Sequence, residues 1–162
     1  MSTEMNFVPL HDPLWQPLHA DGTPRAHALL TLTQWQALRA AWPQDLPLGV
    51  TLANTDDVAV LGPDAERLSL VALQFPKWTD GRAYSQARLL RGRLRYTGEL
   101  RATGDVVVDM LPLLQRSGFD AVQLRAGQSE QSARRALGFF GGHYQADLSR
   151  PAAPFGRGQA LA

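Results

Sequence analysis

The chain has 162 residues, of which 44% are hydrophobic, so it is long and apolar enough to form one domain with a packed core. Its 16 basic and 15 acidic residues give a formal net charge of +1, which lacks the basic surplus typical of a nucleic-acid-binding protein. It contains no cysteine, which excludes disulfides, thiol redox pairs and cysteine-ligated clusters.

The first 44 residues are predicted to form an N-terminal extension with one helix that packs on the main domain. The start, MSTEMNFVPL, lacks the regions of a secretory signal, and no run reaches the length of a membrane span, so we expect a cytoplasmic protein that binds no membrane. Residues 1–28 offer only short strand-like pieces. Residues 31–42 are predicted to be helical, capped by Thr31 or Thr33, because apolar side chains recur every three or four residues.

From residue 48 onward, strand-like segments alternate with segments of helical periodicity. The predicted strands cover residues 48–53, 69–75, 98–103 and 120–125. The predicted helices cover residues 82–95, 105–117 and 129–140, and residues 54–68 form a connection with short helical turns. Asp105 and Ser129 are expected to cap the last two helices, and Pro112 is expected to kink the helix that contains it.

This alternation predicts a single-domain α/β fold with about four mainly parallel strands. The strand order is not fixed by the pattern, so both an open three-layer sheet and a partial βα barrel agree with it. The predicted organisation is an N-terminal extension (1–44), a βα domain (45–146) and a flexible tail (147–162), because the tail has proline, glycine and alanine without periodicity.

If the strands are parallel, the residues that follow them meet at one edge of the sheet, where α/β proteins bind ligands. The densest group lies in FPKWTDGR, residues 75–82, which places two cations, a carboxylate and an indole at one strand-to-helix corner. The candidate binding residues at this edge are Lys77, Trp78, Asp80, Arg82, Tyr84, Glu99, Arg101, Asp105 and Arg125.

Several of these residues also have a purely structural interpretation. Asp80 and Asp105 precede helices and are good N-caps. Glu99 and Arg101 share one face of a predicted strand, and burial of either charge alone would be costly, so we expect them to be paired. The pair either stabilises the sheet or lines a pocket, and the sequence leaves both interpretations open.

The chemistry of these residues suits a small oxyanion, because arginine side chains and helix N-termini donate hydrogen bonds to tetrahedral anions. The chain has no glycine-rich nucleotide loop after a strand and no GxSxG motif, so the cofactor and the catalytic residues stay unknown. No metal site is predicted, because the four histidines do not have metal-binding spacing. They are His11, His19, His27 and His143.

Two stretches of the chain resemble the DUF934 proteins, a bacterial family of unassigned biochemistry. They are FPKWTDGRAYSQARLLR, residues 75–91, and YTGELRATGDVVVDMLPLLQRSGFDAVQLR, residues 96–125. The resemblance covers about residues 45–146, with Trp78 standing where phenylalanine is usual. Family members are commonly encoded beside the haemoprotein subunit of assimilatory sulfite reductase and are often labelled probable oxidoreductases. The resemblance therefore implies a role in sulfite reduction with that subunit as partner, and it implies no catalytic residue.

Three hypotheses follow from the residues and the resemblance. In the first, the protein is an accessory protein of assimilatory sulfite reduction that acts with the haemoprotein by partner or oxyanion binding. In the second, it is an oxidoreductase-type enzyme with a small-molecule pocket at the carboxyl ends of the strands. In the third, the charged motifs are helix caps and salt bridges without a separate function.

Overall fold

Seven parallel strands form one sheet in the computed structural model, which describes residues 4–139. The strands are β1 (Asn6–Phe7), β2 (Gln16–Pro17), β3 (Ala28–Thr31), β4 (Leu48–Leu52), β5 (Leu68–Phe75), β6 (Glu99–Gly104) and β7 (Ala121–Val122). Their order across the sheet is β1-β7-β6-β5-β4-β3-β2, and every neighbouring pair is parallel. The predicted α/β class with a parallel sheet is therefore confirmed.

The sequence predicted four strands, which correspond to β4–β7, and only short strand-like pieces within residues 1–28, where β1 and β2 lie. It missed β3 and did not predict that the N-terminal region joins the sheet. Strands β1 and β2 have only two residues each, which is too short to show an alternating pattern. Strand β3 ends at Thr31, which is also the cap of the next helix, so its apolar residues merge with the helical pattern. The N-terminal region thus supplies three strands of the sheet as well as one helix.

The helices alternate with the longer strands. They are α1 (Leu32–Leu38), α2 (Arg82–Arg88), α3 (Leu111–Ser117) and α4 (Glu130–Phe139). Short 3₁₀ helices cover Val58–Arg67 and Val108–Met110, and a π-helical turn, Leu89–Arg93, extends α2. No helix within residues 4–139 has the length and apolar character that crossing a bilayer requires. His143, the predicted tail (147–162) and the predicted end of the last helix at residue 140 lie outside the described residues.

Local sequence signals explain most helix ends. Thr31 and Gln34 form a capping box at the start of α1, as the sequence predicted for Thr31. Ser129 accepts a hydrogen bond from Ser132 N–H and caps α4. The predicted kink at Pro112 is wrong, because this proline lies in the first turn of α3, where its missing N–H breaks no helical bond.

The sheet curls into a half-barrel, which is the second of the two predicted arrangements. Side chains on its outer face pack with residues of every helix in one apolar cluster. On β6, for example, Leu100 and Ala102 belong to this cluster. Because side chains alternate along a strand, Glu99, Arg101 and Thr103 lie on the opposite face, which we call the inner face.

A segment of the N-terminal region covers part of the inner face. Residues 8–15, which we call the N-terminal strap, connect β1 at one edge of the sheet with β2 at the other edge. Asp12 of the strap forms an ion pair with Arg101 on the inner face of β6. The strap therefore crosses the inner side of the half-barrel, and the buried Trp15 at its end packs edge-on against His27.

Arg91 connects the π-helical turn to the starts of two strands. Its guanidinium donates to the carbonyl oxygens of Tyr96, Gly98 and Gly118 at 2.8–2.9 Å and pairs with the carboxylate of Asp120. Asp120 also accepts the backbone N–H of Leu100 at 3.0 Å. One arginine thus fixes the loops before β6 and β7, and it needs the planar fork that lysine lacks.

We predict that Gly104→Ala lowers the free energy of unfolding far more than Gly127→Ala. Both glycines have positive φ, so an alanine at either site costs about 1–2 kcal/mol in backbone strain. A Cβ at Gly104 would also lie 2.4 Å from the carbonyl oxygen of Phe75, whereas Gly127 has open space. This clash adds about 1–3 kcal/mol. Urea unfolding of both variants measures the difference, and equal losses would contradict the prediction.

Candidate functional site

The carboxyl ends of β4–β7 lie along one edge of the half-barrel, because these strands are all parallel. The loops after these strands bring polar and aromatic side chains to this edge, which we call the strand rim. Its members are Asn54, Lys77, Trp78, Asp80, Arg82, Asp105 and Arg125. Six of the nine predicted binding residues therefore share one edge, and Tyr84, Glu99 and Arg101 do not belong to it.

Asp80 joins the start of α2 to the loop after β4. Its carboxylate accepts the backbone N–H of Arg82 at 3.1 Å, the Arg82 guanidinium at 2.8 Å and the side-chain amide of Asn54 at 2.8 Å. The hydrogen bonds from Arg82 are the largest cause that lowers the pKa of Asp80 to about 2. Asp80 is therefore ionised at neutral pH. The prediction that it is the N-cap of α2 is wrong by one position, because Gly81 is the N-cap and Asp80 accepts the N–H of Arg82 from the residue before it.

Asp105 holds two other loops of the rim together. Its carboxylate accepts the backbone N–H of Trp78 and the guanidinium of Arg125, both at 2.8 Å. Arg125 is the largest cause that lowers the pKa of Asp105. The prediction that Asp105 caps the following helix is wrong, since the first N–H of that helix, on Val108, donates instead to the side chain of Gln128.

Lys77 and Trp78 are the exposed part of the strand rim. Lys77 is the one lysine of the chain, and no side-chain hydrogen bond or ion pair links it to another residue within 4–139. The Trp78 residue is 53% exposed, although its backbone is fixed by Asp105. An exposed indole on a backbone that is held in place is unusual for a residue that serves only the core.

Tyr84 lies in the apolar core between α2 and the sheet, so its prediction as a rim residue is wrong. Its ring packs edge-on against Phe75, with the ring centres 5.1 Å apart. Burial raises the pKa of its hydroxyl. The first turn of α2 turns this side chain toward the outer face of the sheet, away from the rim.

Glu99 and Arg101 lie on the inner face of β6, away from the rim, in a cluster with Asp12. The Arg101 guanidinium is 2.8 Å from Glu99 and 2.9 Å from Asp12, and only 5% of its side-chain surface is exposed. The predicted pairing of Glu99 with Arg101 is present, but the single convergent site predicted for them with Asp80 and Arg82 is wrong. They lie at the start and middle of β6, and the rim lies beyond its end.

Sequence reasoning missed Asp12, which is 89 positions from Arg101 in the chain. Burial acts to raise the pKa of Asp12, but hydrogen bonds from Leu14 N–H and from Arg101 outweigh it and lower the pKa. One signal was available: a buried guanidinium has five donors, and Glu99 alone cannot satisfy them. That shortfall pointed to a second acceptor.

An open cavity of about 450 Å³ lies on the inner face at the carboxyl ends of β4–β7. Its volume falls in the range of small-molecule sites. Its polar lining consists of hydroxyl and amide side chains: Thr51, Asn54, Gln74, Thr103 and Gln123. Leu29, Ala53 and Pro76 contribute apolar surface. Sequence reasoning did not identify Thr51, Gln74 or Gln123, because these uncharged residues resemble ordinary strand positions.

Within residues 4–139 there is no group of three or more histidine, aspartate or glutamate side chains that could hold a metal. The carboxylates of the rim and of the inner face instead pair with arginines.

Residues 49–155, well over half of the chain, match the family described as "Bacterial protein of unknown function (DUF934)". The chain belongs to this family. A search of curated proteins found no match. The DUF934 resemblance in the motifs is therefore confirmed, and the structure gives those motifs physical roles. Arg91 of LLR and Asp120 of GFDA form an ion pair that connects separate segments of the fold. Asp80 and Arg82 of DGR form an ion pair within one loop, and Asp80 also binds Asn54 in the loop after β4.

We predict that Arg101→Ala lowers the free energy of unfolding by about 3–5 kcal/mol, because it leaves the carboxylates of Asp12 and Glu99 without their buried cation. The matched control is Arg82→Ala, which removes an exposed pair that water already screens and should change stability little. Urea unfolding at pH 7 compares the two variants. Similar losses in both would show that the inner-face cluster has no special stabilising role.

Proposed function

We propose that this DUF934 protein is an accessory protein of assimilatory sulfite reduction that binds the haemoprotein subunit of sulfite reductase through its strand rim. The pathway and the partner come from the gene neighbourhood of the family. The observation that supports docking at the rim is the exposed Trp78 in a loop with a fixed backbone.

The rim has the composition of a binding hot spot. Tryptophan and arginine are enriched among residues that dominate binding energies, and Trp78 lies on the same edge as Arg82 and Arg125. Asp80 and Asp105 hold both arginines and the Trp78 backbone in place before any partner arrives. Such preorganisation lowers the entropy cost of association.

Partner docking is better supported at the rim than oxyanion binding. Arg82 and Arg125 each form an ion pair with a carboxylate, at 2.8 Å in both cases. An oxyanion would have to compete with these carboxylates for the guanidinium groups. Lys77 is left as an exposed cation beside Trp78, and a single flexible ammonium group is a weak site for a small anion.

A second candidate function is an oxidoreductase-type enzyme, and the cavity of about 450 Å³ on the inner face favours it. The cavity lies at the carboxyl ends of parallel strands, where α/β enzymes place their ligands. Because the chain has no cysteine, such an enzyme would take its redox group from a bound molecule.

We predict that a strain without this protein grows on sulfide but not on sulfite or sulfate as sole sulfur source. The reason is that the proposed role lies at the reductase step, so that only the product of this step bypasses the defect. Growth yields on the three sulfur sources measure the effect, and a plasmid copy of the wild-type chain should restore growth on sulfite. Normal growth on all three sources would remove the sulfur assignment.

We predict that Trp78→Ala abolishes co-purification with the sulfite reductase haemoprotein and leaves the thermal stability of the chain unchanged. The indole is largely exposed, so its loss removes docking surface without opening a cavity in the core. Leu89→Ala is the matched control, because Leu89 is 44% exposed and lies in the π-helical turn at the other end of α2.

Pull-down from cell extract with tagged wild-type, Trp78→Ala and Leu89→Ala chains tests this surface. The proposal requires that the haemoprotein is retained by the wild type and by Leu89→Ala. Equal retention by Trp78→Ala would exclude the rim as the docking surface even if the protein acts in sulfite reduction.

A further inference from the structure

We propose that the inner-face cavity binds a small uncharged molecule that is rich in hydrogen-bond donors and has an apolar face. This inference rests on the second candidate function and specifies the chemical class of its ligand. It is independent of docking at Trp78, so either can fail without the other.

Two of the amides that line the cavity have defined orientations. The side-chain N–H₂ of Asn54 donates to Asp80 at 2.8 Å, and that of Gln123 donates to the carbonyl oxygen of Pro9 in the N-terminal strap at 2.9 Å. Their carbonyl oxygens have no hydrogen-bond partner within residues 4–139. The cavity wall therefore offers fixed acceptors, which a ligand with N–H or O–H groups can satisfy.

Two further polar groups of the lining are free to adapt. The amide of Gln74 and the hydroxyl of Thr51 make no side-chain hydrogen bond to any residue in the described range 4–139. Gln74 is exposed although it lies on a central strand, because the cavity opens over it. These groups can donate as well as accept, so they also suit a ligand that carries an acceptor.

The charge distribution disfavours an anion in this cavity. None of the lining residues is charged. The nearest cation on the inner face of β6, Arg101, pairs with two carboxylates, and Arg82 and Arg125 each pair with one. An anion would thus face the carbonyl oxygens of Asn54 and Gln123 without a compensating positive charge, and its dehydration would be costly.

The apolar part of the lining favours an organic molecule over a hydrated cation. Leu29, Ala53 and Pro76 offer hydrocarbon surface, which gains free energy when it excludes water against a ring or alkyl group. A hydrated cation would gain nothing from this hydrocarbon surface. An uncharged ring that carries an amide matches both the polar and the apolar parts of the wall.

Three isosteric probes test the charge class directly: benzamide, benzoate and benzamidinium have nearly the same shape and differ in charge and in donors. Titrations followed by the ¹⁵N side-chain amide resonances of Asn54, Gln74 and Gln123 report binding at the cavity. We expect benzamide to shift these resonances at the lowest concentration. Benzoate or benzamidinium binding as tightly as benzamide would overturn the proposal, and so would the absence of shifts with all three probes at their solubility limits.

Variants establish that the response comes from the cavity. Gln74→Ala and Thr51→Val should each weaken benzamide binding about threefold to tenfold, the value of one hydrogen bond. Neither side chain has a partner within residues 4–139, so both variants should fold, and thermal unfolding checks this. Gln36→Ala, at an exposed position on α1, is the control and should bind benzamide normally. Unchanged binding in both cavity variants would also overturn the proposal.

Discussion

The buried guanidinium of Arg101 forms the ion pairs on which the covering of the half-barrel's inner face depends. All-parallel sheets are normally covered on both faces, but here the helices contribute to one cluster on the outer face. The N-terminal strap covers part of the inner face, and the link from Asp12 to Arg101 holds it there. Asp12 of the strap and Glu99 of β6 share this one cation, which connects the two segments. A second, smaller cavity lies between the strap and β6, and Trp15 contributes to its lining. The DUF934 match begins inside the sheet, at residue 49, and the strap that covers part of this face precedes it.

The strand rim follows a different principle, in which carboxylates position the groups around them. Asp80 fixes Arg82 and Asn54, and Asp105 fixes Arg125 and the backbone of Trp78. The density of charge in FPKWTDGR thus has a structural cause, as the third hypothesis expected for the aspartates. That cause does not extend to the side chains of Lys77 and Trp78, which are exposed. The structural and the binding interpretations of this corner therefore apply to different residues of the same loop.

Local patterns predicted the part of the fold that local physics determines. Strands β4–β7, the caps at Thr31 and Ser129, and the pairing of Glu99 with Arg101 all follow from neighbours within a few residues. The failures are contacts that span the chain. Asp12 reaches Arg101 across 89 positions, and Asp105 is occupied by Trp78 and Arg125 from other loops, so it cannot cap a helix. The uncharged cavity was missed because hydroxyl and amide residues have no distinctive spacing.

The proposed docking surface and the cavity are joined by one loop. Pro76 lines the cavity, and Lys77 and Trp78 continue the same chain segment to the exposed rim. Asp105 fixes this segment from β6, and Gly104 beside it contributes to the cavity wall. A partner that shifts the Trp78 backbone would have to displace it from Asp105, and the cavity wall would change with it. A ligand in the cavity that favours one position of this loop would therefore change the affinity of the protein for its partner. Thermodynamic linkage requires that the partner changes the affinity for the ligand by the same factor. The two candidate functions therefore need not exclude each other, because the fold places them on a common structural element.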